Sequence, residues 1–167
     1  MYQRIVTALF IAALSSGVAY GHGDSHAKKP VRKPVASASE ETAFGRPGDP
    51  EKATRTIKVG MDDKMHFSSG HVHVKQGETV KFVVSNKGKA MHEMVIGTMK
   101  ELREHAELMR KHPGMEHDEP YMAHVSPGKT ETIVWQFTKA GEFQYACLIL
   151  GHLEAGMIDR ISVARLK

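Results

Sequence analysis

Three residues near the carboxyl end of the chain combine a chemistry and a spacing that suit a metal ion. Cys147, His152 and Met157 follow one another in the pattern Cys-x4-His-x4-Met. A thiolate, an imidazole and a thioether on one short loop can converge on a single ion, and soft sulfur together with nitrogen favours copper over hard cations. His92, in a turn-rich stretch that leads into a predicted strand, is the best candidate for a second imidazole. We therefore predict a mononuclear copper site with ligands His92, Cys147 and His152 and a weak axial Met157.

The same residues allow other interpretations. Cysteine and methionine are often buried, so Cys147 and Met157 could be packing residues. Zinc fits less well, because it prefers four strong ligands and a thioether is a weak one. Nucleophilic catalysis by Cys147 with His152 is the least favoured, since no acidic or amide residue stands out as the group that would orient the histidine. An unpaired cysteine in an exported protein favours a metal or a reactive role.

The ligand motif resembles that of the cupredoxins, the small blue and green copper proteins. His152-Leu-Glu-Ala-Gly-Met157 is similar to the plastocyanin-type His-x-x-Ala-Gly-Met, and Cys147-x4-His152 with Gly151 before the histidine resembles azurin. With Phe44-Gly-Arg-Pro-Gly-Asp49 and many His and Met residues, the chain most resembles the periplasmic cupredoxins of bacterial copper tolerance, the CopI type. The resemblance covers roughly residues 44–167. It implies a Greek-key β-sandwich that binds copper, although Glu93 stands where azurins and plastocyanins usually carry Asn or Ser.

The chain has more histidine and methionine than one metal site needs, with 11 His and 10 Met. His71 and His73 would share one face of a strand and could chelate an ion, or they could simply lie on a polar edge strand. His105, Met109 and His112 form one stripe on a predicted helix, which could equally pack against the core. The candidate accessory copper ligands are His22, His26, His71, His73, His112, Met115, His117, Met122 and His124.

The amino-terminal part of the chain has the features of an export signal followed by a linker. Residues 1–21 contain a basic residue, a short apolar run and then small residues, which is typical of a secretory signal peptide. Residues 22–52 are rich in Pro, Ser, Ala and charged residues, which favours a disordered leader. Cleavage between Ala19 and His22 would create a terminus at which His22, with His26, could bind Cu(II). We expect a periplasmic protein without membrane insertion after signal removal.

Residues 53–167 carry the pattern of an all-β domain. Short alternating segments separated by turn residues are typical of a β-sandwich. The predicted strands cover residues 54–59, 72–74, 79–84, 94–96, 131–137, 142–147 and 157–163. One helix is predicted over residues 100–111, followed by a loop that carries candidate ligands as far as residue 124. The predicted fold is thus a cupredoxin-like Greek-key sandwich with one helical excursion, in which Cys147 closes one strand and Met157 opens the next.

Charge and ligand content limit the possible functions. The formal net charge is +4 with neutral histidine, and the basic residues do not form a face interleaved with aromatic residues, so nucleic acid is not an expected partner. The resemblance and the excess of ligands favour a copper-tolerance protein that binds copper ions, passes electrons to an unknown redox partner protein and could oxidise Cu(I) to Cu(II). The alternatives are a plain electron-transfer shuttle between periplasmic redox enzymes, or a scavenger, for which a thiolate would be unnecessary.

Overall fold

Two five-stranded β-sheets form the framework of residues 41–113 and 117–166, the part of the chain that this computed structural model describes. The first sheet has the strand order β1 (Arg46–Pro47), β8 (Thr130–Gln136), β5 (Thr79–Asn86), β2 (Arg55–Asp62), β3 (His66–Phe67). The second has the order β4 (Val72–Lys75), β10 (Ile158–Ala164), β9 (Gly141–Ala146), β6 (His92–Gly97), β7 (Met122–Val125). The predicted signal peptide, the leader up to residue 40, and the candidate ligands His22, His26 and Met115 lie outside the described residues.

The strand pairing confirms the predicted all-β sandwich. Two neighbouring pairs, β2 with β5 and β4 with β10, run parallel, and the other paired strands are antiparallel. Parallel neighbours require connections that leave the sheet, so the chain passes repeatedly between the two layers. In β4 buried and exposed residues alternate: Val72 and Val74 are buried, whereas His73 and Lys75 are exposed. Within the described residues, no helix has both the length and the apolar character needed to cross a membrane.

The helical excursion lies between β6 and β7. Helix α1 spans Met99–Lys111, one residue longer than predicted, and begins at a capping box in which Thr98 and Glu101 satisfy each other's backbone N–H groups. Leu102 is its buried residue and packs in a small core with Val95, which explains why β6 is buried along its whole length. The predicted loop after the helix is wrong in part, because residues 122–125 form strand β7 and pair with β6.

The main core fills the space between the sheets with large side chains. Trp135, Tyr145, Phe82 and Phe137 are fully buried, and each contributes on the order of 1.5–3 kcal/mol of hydrophobic stabilisation. Phe44 joins them by stacking on Trp135 at a ring distance of 5.2 Å. The ordered domain therefore begins before residue 53, inside the segment predicted as leader. This core fixes the strands that carry the functional residues.

Candidate metal centre

The two ends of the ligand loop are fixed by neighbouring strands. Cys147 directly follows β9 and Met157 directly precedes β10, and these strands pair with each other. The Cys147 N–H donates a hydrogen bond of 3.0 Å to the Met157 carbonyl. The Met157 N–H in turn donates to the His152 carbonyl at 3.0 Å. Backbone bonds thus tie Cys147, His152 and Met157 together.

Inside the loop, consecutive turns set the direction of His152. Its N–H donates to the Ile149 carbonyl at 2.9 Å, and the Ala155 N–H donates to the Gly151 carbonyl at 3.0 Å. Gly151 has a φ of +86°, in the left-handed region that residues with a Cβ rarely adopt. The glycine before the histidine is therefore a backbone requirement, because it allows the chain to reverse and direct His152 toward Cys147.

Three ligand atoms meet at one point of the structure. His92 is the first residue of β6, on the strand next to β9. Nitrogen atoms of His92 and His152 and the sulfur of Cys147 all lie within 4.8 Å of one another. The Cys147 Sγ is 3.2 Å from Nδ1 of His152 and 4.0 Å from Nδ1 of His92. Met157 is fully buried, and its backbone is hydrogen-bonded to Cys147 and His152.

Asp63 orients His92. Its Oδ1 lies 3.2 Å from Nε2 of His92, so a proton on Nε2 leaves the Nδ1 lone pair directed at the site. The carboxylate is itself held by the N–H groups of Lys89 and Ala90. These backbone bonds and then the bond with His92 lower the pKa of Asp63. A Cβ at Gly88 would lie 2.1 Å from Asp63 Oδ1, so only glycine leaves room for this carboxylate.

Glu93 holds the beginning of the ligand loop from β6. Its N–H donates to the Cys147 Sγ at 3.4 Å, and its Oε1 accepts a 2.8 Å hydrogen bond from the Leu148 N–H. Its Oε2 lies 2.9 Å from Nε2 of His124, within ion-pair distance. Contact with Glu93 raises the pKa of His124. The Glu93 side chain is fully buried, so both of its partners matter.

Burial controls the protonation of two candidate ligands in the metal-free protein. Burial raises the pKa of the Cys147 thiol to about 12, against hydrogen bonds from Glu93 and Ile149 that lower it. Burial, and then the neighbouring His92, lower the pKa of His152. The site therefore holds a neutral thiol beside a neutral imidazole, and a bound cation would supply the charge that stabilises the thiolate.

This donor set fits copper. One cysteine sulfur and two imidazoles within reach of a single ion combine the soft and borderline ligands that copper prefers, and the backbone of Met157 is bonded to two of these residues. Zinc accepts the first three groups but gains little from a thioether. The structure brings together His92, Cys147 and His152, and the complete ligand set with Met157 remains a prediction.

The remaining candidate ligands among the described residues fall in five places. The rings of His71 and His73 lie 4.0 Å apart at the edge strand β4. His112 is exposed at the end of α1, whereas Met122 is buried in the small core. His117 faces a residue outside the predicted set, His105, with ring centres 4.7 Å apart. His124 pairs with Glu93 as described above.

Sequence patterns missed Asp63 and Glu93. Asp63 is separated from His92 by 29 positions, and Glu93 from Cys147 by 54. The one available signal was Glu93 itself, an acidic residue directly after a candidate ligand where azurins and plastocyanins usually carry Asn or Ser.

The fold and the site together define a cupredoxin. Residues 53–164 match the family of copper binding proteins of the plastocyanin/azurin type. The chain belongs to this family, and copper is its cofactor.

Within the family, the chain is similar to proteins described as copper-resistant cuproprotein CopI. The relative from Rubrivivax gelatinosus is 44% identical over 158 residues, which cover 95% of this chain and 92% of the relative. The relative from Pseudomonas aeruginosa is 34% identical over 157 residues, covering 77% of this chain and 86% of the relative. Among solved structures, the reduced auracyanin of Roseiflexus castenholzii has a TM-score of 0.58 at 20% identity and covers 67% of this chain and 98% of its own. The similarity to auracyanin supports the cupredoxin fold of this chain.

Proposed function

We propose that this protein is a periplasmic copper-tolerance cupredoxin that binds copper and transfers electrons. The observation that carries the proposal is the convergence of His92, Cys147 and His152 beside the buried Met157. We call these four residues the primary centre. The similarity to relatives described as copper-resistant cuproproteins supports the role in tolerance.

The protein framework suits electron transfer at such a centre. Bound copper supplies one-electron chemistry between Cu(I) and Cu(II). The sandwich fixes both ends of the ligand loop, Asp63 orients His92, and Glu93 holds Cys147 and Leu148. Because these contacts hold the ligand residues through the protein framework, the ligands need little rearrangement when the charge of the ion changes. Burial of His92, Cys147 and Met157 excludes water from all but one side.

The open side is the one that a redox partner protein could reach. His152 is only half-buried, whereas the other three residues of the primary centre are fully buried. Leu150 is 64% exposed two residues before it, and Met91, next to His92, is 42% exposed. Both side chains are therefore accessible for a transient contact with another protein.

Cu(I) is the proposed substrate of the primary centre. Each Cu(I) ion gives up one electron to become Cu(II), and the partner redox protein takes that electron. The alternative function, a plain electron shuttle between periplasmic enzymes, needs the same primary centre but gives no reason for the many other His and Met residues.

Complementation tests the proposal. Cells without the gene should be copper-sensitive, the intact gene should restore growth on copper, and Cys147→Ser should not. His66→Gln is the matched control, because His66 is an exposed residue of β3 paired with Asp62. Full rescue by Cys147→Ser would contradict a redox role and leave sequestration by other ligands. Normal copper tolerance in the deletion strain, with a redox defect, would favour the plain shuttle.

A further inference from the structure

A second pair of histidines faces each other away from the primary centre. His105 lies on α1 and His117 follows the helix, and their ring centres are 4.7 Å apart with an angle of 38° between the planes. Nε2 of His105 and Nδ1 of His117 are both shielded from solvent. Neither atom has a hydrogen-bond partner among the residues that the structure describes. One ring nitrogen of each histidine is thus shielded from water and has no hydrogen bond to replace those that water would make.

Such an arrangement is unfavourable for the protein alone. A buried polar atom without a partner loses the hydrogen bonds that it made to water, and native structures contain few of them. Protonating both rings would not help, because two facing imidazolium groups repel each other. Burial, and then the nearby His117, lower the pKa of His105. The pair therefore favours neutral rings, and a neutral imidazole carries a lone pair that can bind a cation.

The surroundings leave room for an ion with its water. Both histidines line a cavity of about 330 Å³ next to α1, with Glu101, Glu104 and Tyr121 also in its wall. The Glu101 carboxylate is occupied by the capping box, and Glu104 lies 3.2 Å from an exposed lysine of the same helix. The two imidazoles are therefore the available strong ligands among the described residues, and water can fill the remaining positions.

We propose that His105 and His117 form a second metal site, which takes copper as Cu(II). Among divalent first-row ions, Cu(II) binds nitrogen ligands most tightly, and without a thiolate this pair has no soft ligand that would favour Cu(I). The site shares no ligand with the primary centre. It adds a storage position to the proposed copper-tolerance function, but its existence does not depend on electron transfer at Cys147.

The decisive variant is His105→Leu/His117→Leu in the full mature chain. Leucine fills similar space and removes both unpartnered nitrogens. The double variant should bind one equivalent of Cu(II) fewer than the unchanged protein in equilibrium dialysis. The visible absorption of the primary centre should be unchanged, which separates failure of this site from failure of the primary one. His66→Leu, at an exposed histidine outside the pair, is the matched control and should lose no equivalent.

A stability measurement determines whether the double variant folds. In metal-free buffer its melting temperature should equal or exceed that of the unchanged protein, and added Cu(II) should raise it by less. If the double variant does not fold, His117→Gln alone, at a half-buried position outside α1, should reduce Cu(II) binding in the same dialysis. An unchanged number of Cu(II) equivalents in a folded variant, or an equal loss in His66→Leu, overturns the proposal. A metal-free destabilisation with no change in Cu(II) binding also overturns it and assigns the pair a structural role.

Discussion

Glu93 should be the most sensitive position outside the primary centre. In Glu93→Ala, the buried Leu148 N–H loses its acceptor, at a cost of about 1–3 kcal/mol. His124 loses its ion-pair partner, but it is 29% exposed, so water limits this part to about 1 kcal/mol. Loss of buried methylene adds about 0.8 kcal/mol. We therefore expect Glu93→Ala to lower the free energy of unfolding by about 3–5 kcal/mol, the range for a broken buried pair.

Glu93→Gln separates these contributions. The glutamine Oε1 can still accept from the Leu148 N–H, so mainly the charge opposite His124 is lost. We expect a cost of about 1 kcal/mol. The assay is urea unfolding of the metal-free protein followed by the fluorescence of Trp135, the only tryptophan, which is fully buried. Glu142→Gln, at an exposed carboxylate, is the control and should change stability by less than about 0.5 kcal/mol.

The cost of Glu93→Gln should also depend on pH. Because contact with Glu93 raises the pKa of His124 above its unfolded value, near 6.5, the paired imidazolium stabilises the folded state fully below that value. This stabilisation is lost as pH rises through the raised pKa. The difference between the unchanged protein and Glu93→Gln should therefore shrink from pH 5.5 to pH 9. Equal stability of the Ala and Gln variants, or a difference independent of pH, would refute the reasoning.

The other predictions concern the primary centre and export. Cys147→Ser should abolish the intense visible absorption of the Cu(II) protein, and surviving colour would contradict the thiolate assignment. Met157→Leu should keep a coloured centre with a raised reduction potential in voltammetry, because an axial thioether tunes the site more than it holds the ion. Asp63→Ala should weaken copper affinity about 10–100-fold in chelator competition, since Asp63 orients His92. Mass spectrometry of periplasmic protein should find a start between Tyr20 and His22, and a retained amino-terminal segment would refute export.

Local spacing predicted those parts of the protein that short segments determine. Cys147 and Met157 lie at strand ends as expected, because the alternation of β9 and β10 and the glycines between them are visible in one stretch of sequence. Helix α1 was also predictable, since its capping residue and its stop after Lys111 are local. The copper cofactor followed from ligand chemistry.

The features that the sequence did not predict depend on contacts between residues that are distant in the chain. Strand β7 has four residues and few flanking apolar residues, and it is a strand because β6 supplies its partner. Phe44 lies among Pro, Gly and charged residues that favour disorder, yet the ring of Trp135, 91 positions away, buries it. The pairing of His105 with His117 likewise depends on how the chain returns after α1.

The contacts of Glu93 have a consequence for protein engineering. Ligand loops of cupredoxins invite grafting from one scaffold to another, and residues 147–157 look like a transferable unit. In this protein, however, the second residue of the loop, Leu148, depends on a carboxylate that belongs to β6. A host scaffold with Asn or Ser at that position would have to provide a new acceptor for this amide. The smallest transplantable unit is therefore the loop together with Glu93 and His124, which lie side by side on paired strands.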